Sequence, residues 1–347
     1  MSEVLGATLL TNALELRPGS RVLILGGYGV RNVGDEAILA GMLRELPSRV
    51  RPTVISRNPN ETSVMHSVRA VGVTMAPAEL ARADMLIVGG GGLFSSDTGP
   101  FGRQIPAFAR IALWMRKQVA FHGIGVYPSA SEGLLRQLAS LSGRLALLTV
   151  RDRISQETLA RQGVASTLIP DLSESMTEVL EGEQPSLGEL LALDPSKPTV
   201  CLCLTAINQE LASFLLNGVP QVMDSTPEAQ FCFIPMSLHP TKERHNDLAF
   251  ARQLKALRHD LHVLEGWRGP SEYLALIGQA DAVVCSRFHS FLFAQRADRP
   301  IIPLPYSAKC DGWLEDHGIE SMPWSVEALR DRMLWSLSKS ARGTVAV

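Results

Sequence analysis

The sequence predicts an α/β fold of two Rossmann-like domains facing across a cleft. Three observations carry that expectation: short apolar runs that end in glycine, amphipathic stretches between them, and an acidic, proline-bearing interruption near the middle. In the first half, RVLIL (21–25), PTVIS (52–56), DMLIVGG (84–90), QVAFHGIG (118–125) and LALLTVRD (145–152) read as buried parallel strands. DEAILAGMLREL (35–46) and IPAFARIALWMRK (105–117) have helical spacing, so the succession is β-α-β. EGEQPSLGELLALDPSKP (181–198) reads as a linker. Beyond it, TVCLCL, AQFCFIPM, DLHVLEG, ADAVVCS and PIIPLPY repeat the strand pattern, with DLAFARQLKAL and PSEYLALIGQ as helices. The expected domains are 1–185 and 196–320, followed by a C-terminal helix within 321–347 that would be free to pack back on the first domain.

Composition narrows the class. Over 347 residues, 46% hydrophobic and 20% charged is the balance of a chain that buries a substantial core. A formal charge of −2, from 33 basic and 35 acidic residues, lacks the basic excess of a domain that coats nucleic acid. The opening MSEVLGATLLTNALELRPG has neither the basic start nor the apolar run of a secretion signal, and no charge-free stretch of about 18 residues would span a bilayer. Cytoplasmic residence is the expectation. Of the five cysteines, Cys201, Cys203, Cys232 and Cys285 sit in apolar strand-like runs and Cys310 does not. A lone CxC on a strand reads as core, so neither a disulfide nor a structural metal is expected.

Two glycine-rich corners follow strands of the first half. In GGYGVRNVGDEAIL, Gly26, Gly27, Gly29 and Gly34 free the backbone at a carboxyl edge, where open α/β sheets bind ligands. Neither nucleotide motif is met, because Asn32 stands where GxGxxG needs glycine and Asp35 where a P-loop needs lysine. Asn32 and Asp35 read either as helix caps or as acceptors for substrate hydroxyls, with Asp35 a candidate base. The second corner, VGGGGLF (88–94), includes Gly91 and implies close approach of a ligand or another backbone.

The stretch VVCSRFHSFLFAQ (283–295) hands a strand over to a helix at Ser286, Arg287 and His289. A helix start offers free N–H groups to an anion, arginine adds a planar fork, and histidine holds or delivers a proton near neutral pH. Downstream, Tyr306 and Lys309 in PIIPLPYSAKC end the next strand-like run on the same edge. Arginine, histidine and lysine can thus converge on one compact anion.

The combination GYGVRNVGDEAIL, VGGGGLF, HGIG, VRDRIS with a following PD, SRFHSFLFA and YSAK resembles the polysaccharide pyruvyl transferase family over roughly residues 21–312. The resemblance implies a GT-B-like fold and transfer of pyruvate from phosphoenolpyruvate to a sugar of a cell-surface glycan or its lipid-linked precursor. It places Arg287 and His289 in the family's RxH signature, Lys309 in its YxxK element and Arg151 in its VRD element. The chain departs from the family's pattern at His122, often glutamine, at Val126 and Tyr127, which precede Pro128, and at Leu172, usually proline.

Phosphoenolpyruvate carries a carboxylate and a phosphate, so Arg287, Lys309, Arg151 and a helix start would hold it. No cofactor or metal is expected beyond this donor. Catalysis is assigned to His289, Arg287 and Asp35, with Asp152 and Asp171 as alternatives to Asp35. Binding is assigned to Lys309, Arg151, Tyr306, Gly29, Asn32, Gly91 and His122, while His239 reads as a surface-loop residue, with lining of the cleft as the alternative. A lipid-linked acceptor would draw the protein to the inner face of a membrane through Leu93, Phe94 and Phe101. The alternative reading is a GT-B glycosyltransferase using a nucleotide sugar, and a third is a glycan or polyphosphate binder without turnover.

Overall fold

The apolar runs become strands of two parallel sheets in a computed structural model that describes residues 2–176 and 185–343. One unit comprises Met1–Val30 and Gly34–Thr177; the other comprises Arg31–Val33 and Glu178–Val347. Unit 1 holds β1 (Arg21–Leu25), β2 (Arg51–Ser56), β3 (Arg69–Gly72), β4 (Met85–Gly89), β5 (Gln118–Ile124), β6 (Leu147–Val150) and β7 (Thr167–Leu168). Their spatial order is β3-β2-β1-β4-β5-β6-β7. Unit 2 holds β8 (Thr199–Cys203), β9 (Gln230–Phe233), β10 (His262–Val263), β11 (Ala282–Cys285) and β12 (Ile301–Pro303), in the order β10-β9-β8-β11-β12.

Both orders reverse direction beside their first strand, between β1 and β4 and between β8 and β11. Connections leave the sheet on opposite faces at such a point, and the crevice at the carboxyl ends is where this architecture seats ligands. The four-residue β3 and the two-residue β7 lie at the sheet's edges. Neither has an apolar run that sequence periodicity would single out.

Both faces of the first sheet are covered. Val22 and Ile24 of β1 face one apolar cluster, with Ile87 and Ala120; Leu23 and Leu25 face another, with Leu86 and Phe121. Each fully buried Val, Leu, Ile or Phe contributes about 1.5–3 kcal/mol, so near-continuous apolar strands are what this layering selects. Unit 2 is built the same way around Val200, Leu202, Phe231, Phe233 and Val284. The helix Val326–Gly343, which the sequence left free to pack on the first domain, contributes Leu329 and Met333 to this second core.

The five cysteines are buried free thiols, and those of Cys201 and Cys232, register partners on β8 and β9, lie 3.1 Å apart. The expected linker begins at 181–184, outside the described residues, and continues through a short helix, Leu187–Leu191. The end of the expected C-terminal helix, 344–347, is likewise outside them. No helix among the described residues is long and apolar enough to cross a membrane. Leu93 and Phe94 cannot meet a membrane either: they are 3% and 0% exposed within the unit 1 core.

Candidate active site

In unit 1, the corner after β1 is shaped by packing. Tyr28 turns inward and donates its hydroxyl to the Gly89 carbonyl at 3.0 Å, and Gly29 N–H donates to the buried Glu36 carboxylate at 2.8 Å. Gly29 has φ +78, and a Cβ there would strike Ser56 and the backbone N of Asn58. Gly29 is thus explained by the neighbouring turn, without a ligand. Asn32 belongs to unit 2, where its backbone bridges antiparallel to Ser237.

Asp35 lies in the first turn of the helix Val33–Glu45 and is partly exposed. Its carboxylate sits where only glycine leaves room: a Cβ on Gly27 would approach Oδ2 to 3.1 Å, and one on Gly91 would approach Oδ1 to 2.8 Å. Gly91 has φ +74 and its carbonyl accepts from Leu93 and Gly125 N–H groups, both at 2.9 Å. Asp35 and Gly91 therefore share the switch point between β1 and β4.

Arg151, at the end of β6, adjoins the same corner through Gly92, whose Cβ would stand 3.9 Å from Nη2. The guanidinium is buried and held on three sides. Nη1 donates to Asp171 Oδ2 at 2.9 Å, Nη2 donates to the Tyr127 hydroxyl at 2.8 Å, and Nε lies 3.6 Å from Asp152 Oδ2. Tyr127 in turn donates to Asp152 at 2.9 Å. Burial pulls the Arg151 pKa down, but its contacts with the Tyr127 hydroxyl and with the carboxylates of Asp171 and Asp152 outweigh it and hold the cation firmly. Burial chiefly raises the Tyr127 phenol, which stays protonated. Asp152 and Asp171 also cap backbone N–H groups of Ser155 and Ser173, at 2.7 and 2.9 Å.

His122 does not join this cluster. It is fully buried on β5, with Nε2 2.8 Å from Glu45 and Nδ1 3.0 Å from Thr149, and Glu45 is further tied to Ser175 at 2.9 Å. A substrate role for His122 is replaced by a core one, because both ring nitrogens are engaged inside the fold.

In unit 2, Arg287 occupies the N-cap position of the helix Phe288–Arg296 at the end of β11, without a side-chain capping bond. Its guanidinium forms a two-pronged pair with Asp247: Nε to Oδ2 at 2.8 Å and Nη2 to Oδ1 at 2.6 Å. Asp247 is 1% exposed, and burial pushes its pKa up against the opposing pull of Arg287. The forked geometry suits a desolvated pair, and either partner alone would be a costly buried charge. His289, half-buried, lies one turn-step on, its ring edge-on to Phe288 at 5.3 Å.

Lys309 is carried by the helix Ala308–Asp316, and its ammonium lies 5.9 Å from the centre of the Tyr306 ring. Tyr306 packs against the unit 2 core. The buried Cys310 thiol reaches the Ser286 carbonyl at 3.8 Å, linking the Lys309 turn to the joint that bears Arg287 and His289. His239 closes its own turn, its Nδ1 accepting from the N–H groups of Thr241 and Lys242 at 3.2 and 3.1 Å.

The residues thus gather as two groups, one per unit: Asp35, Gly91 and Arg151 at one edge, Arg287, His289, Tyr306 and Lys309 at the other. Sequence reasoning missed Asp247 and Tyr127, the partners that hold the two arginines. Tyr127 lay in view as a departure from the family's pattern. Asp247 had no local signal, since its partner stands 40 residues away.

A profile of the family described as polysaccharide pyruvyl transferase matches residues 32–308. No curated protein matches the chain. Among solved structures, Staphylococcus aureus MnaA with UDP is similar with a TM-score of 0.64 at 8% identity, over 93% of this chain and 89% of that one. The UDP-GlcNAc 2-epimerase of Methanocaldococcus jannaschii gives 0.59 at 14%, over 91% and 92%. Anabaena Alr3699/HepE with UDP and glucose gives 0.52 at 11%, over 94% and 99%. At such identities the likeness speaks for the GT-B-like pair of Rossmann units alone. The match across most of the chain settles the kinship: this transferase belongs to the polysaccharide pyruvyl transferase family.

Proposed function

We propose that the donor of this pyruvyl transferase is phosphoenolpyruvate, held by unit 2, and that the acceptor sugar is engaged by unit 1. The reading is supported above all by the Cys310–Ser286 link, which sets the turn bearing Lys309 against the joint bearing Arg287 and His289. Two of the Arg287 nitrogens are engaged by Asp247, so Arg287 is cast as the positioning residue that fixes this joint. The Lys309 ammonium and the N-terminus of the helix Phe288–Arg296 supply positive charge for phosphate or carboxylate.

The chemistry needs a proton on the methylene carbon, attack by a sugar oxygen on the neighbouring carbon, loss of phosphate with its bridging oxygen, and closure by a second hydroxyl. Of the two hydroxyl protons displaced, one replaces that given to the methylene and the other leaves with phosphate. His289 is the candidate acid, since imidazole exchanges protons near neutral pH. Asp35, seated by Gly27 and Gly91, is the candidate base for the attacking hydroxyl. Arg151, paired to two aspartates and a phenol, is cast as a fixed brace of the acceptor edge.

Cytoplasmic phosphoenolpyruvate as donor places the reaction in the cytoplasm, and a lipid-linked acceptor would bring it to the inner face of a membrane. A thermal-shift series tests donor identity: phosphoenolpyruvate should stabilise the protein and UDP should not. Stabilisation by UDP alone would transfer support to a nucleotide-sugar donor. Mass spectrometry of sugars incubated with phosphoenolpyruvate should show the added ketal.

A further inference from the structure

At the amino ends of the unit 1 strands, opposite the carboxyl edge, lies a cavity of about 390 Å³ lined by Arg21, Arg51, Thr53, Arg69, Glu79 and Arg82. Sheet register brings the arginines together. Arg21 and Arg51 open β1 and β2 as partners side by side, and Arg69 opens β3 beside Thr53, two residues along the same face from Arg51. The helix Ala76–Arg82 supplies the facing wall with Glu79 and Arg82.

The carboxylates at hand do not balance these cations. Glu79, 5% exposed, accepts from Arg69 at 2.7 and 2.9 Å and from Arg82 at 3.1 Å. Asp84 accepts from Arg21 at 2.7 Å. Arg51, on the middle strand, is exposed, and its side chain meets neither a carboxylate nor a hydrogen-bond acceptor among the described residues. Lys117, bonded to the Ala81 and Ala83 carbonyls, adds a fifth cation behind the wall. The chain as a whole carries −2, so this excess of positive charge is local.

Like charges on neighbouring strands repel, and Arg51 stands between Arg21 and Arg69 with nothing to offset it. Arg21 Nη1, Arg82 Nη2 and every side-chain nitrogen of Arg51 remain available to donate. Guanidinium forks match phosphate oxygens, and the cavity falls within the about 300–1,000 Å³ of small-ligand sites. β1 has five residues, so at about 3.3 Å per residue Arg21 stands about 13 Å from Leu25, beyond which the corner of Asp35 and Gly91 begins. An anion in the cavity does not reach that corner. We infer that the cavity is a second anion site, which takes a small phosphorylated ligand of two or more negative charges through Arg51 and its flanking arginines. It stands whether or not phosphoenolpyruvate is the donor.

The experiment is calorimetric titration of wild type, Arg51→Gln, Arg161→Gln and Lys309→Ala with inorganic pyrophosphate, ADP and glucose. A second arm measures binding to phosphatidylcholine vesicles with and without phosphatidylglycerol. Pyrophosphate and ADP should bind wild type where glucose does not, and their affinity should fall as salt is raised. Arg51→Gln should weaken them tenfold or more. Arg161→Gln, which removes an exposed charge outside the cavity, and Lys309→Ala should each move them less than twofold. Without ligand, Arg51→Gln should melt no lower than wild type, since it removes an unpaired, repelled cation. Binding of pyrophosphate or ADP assigns the phosphate to a soluble ligand; recruitment only to phosphatidylglycerol vesicles, lost in Arg51→Gln, assigns it to a lipid headgroup. No binding of any phosphate-bearing probe, wild-type affinity in Arg51→Gln, loss in Lys309→Ala instead, or a lowered melting temperature of unliganded Arg51→Gln would overturn the inference.

Discussion

At the carboxyl edge of unit 1, Arg151 meets two aspartates and a phenol; at that of unit 2, Arg287 meets one buried aspartate and stands two residues from an imidazole. In unit 1 the carboxylates outnumber the arginine they surround, and Asp35 adds another beside Gly91. In unit 2 the buried Asp247 is matched by Arg287, and the neighbouring turns contribute Lys309 and His289. The same Rossmann edge thus carries a different set of charged groups in each unit. On the proposed reading, the edge richer in carboxylates engages sugar hydroxyls and the edge bearing Lys309 and His289 engages the phospho-acid.

The comparison breaks most visibly at its arginines. Arg287→Met or Asp247→Leu alone should destabilise the protein by about 3–5 kcal/mol, since each strands a buried charge, while the double variant should recover most of the loss. Urea unfolding reads this directly. Arg151→Met should cost as much but find no single rescuing change, because its charge is shared between Asp171 and Asp152.

A smaller effect is expected at the glycine corner. Gly91→Ala combines a left-handed backbone with a Cβ that would approach Asp35 Oδ1 to 2.8 Å. It should cost about 1–3 kcal/mol and lower kcat for pyruvyl transfer, with phosphoenolpyruvate affinity unchanged. A loss of donor affinity instead would blur the division between the two edges.

The smallest effect calibrates an ordinary ion pair at the opposite ends of the unit 1 strands. Arg69 donates to Glu79 at 2.7 and 2.9 Å, and this bond, ahead of the opposing effect of burial, holds Glu79 below its usual 4.5. A depressed carboxylate stabilises fully above its unfolded value and ceases to do so as pH falls through the folded one. Glu79→Gln should therefore cost no more than about 1 kcal/mol at neutral pH, with the gap from wild type narrowing below pH 4.5. A gap constant across that range would remove the pair's contribution.

Much of this architecture is legible in the sequence because buried parallel strands are apolar on both faces and stop at glycine. The same property hides side-chain direction. His122 lies on a strand covered on both sides, so alternation could not tell the core from the edge, and its partner Glu45 is 77 residues distant. Asp247 was equally silent, since nothing in DLAFARQLKAL states what it faces. The RxH and YxxK joints were readable because they fall where a strand must hand over to a helix.

The most direct test is phosphate release from phosphoenolpyruvate in the presence of an acceptor, measured for wild type, His289→Ala and Lys309→Ala, with melting temperature as the folding control. The account predicts a loss of about 10²–10⁴-fold for His289→Ala and a marked rise in KM for Lys309→Ala, with both proteins folded. Near-normal turnover in both folded variants would contradict it.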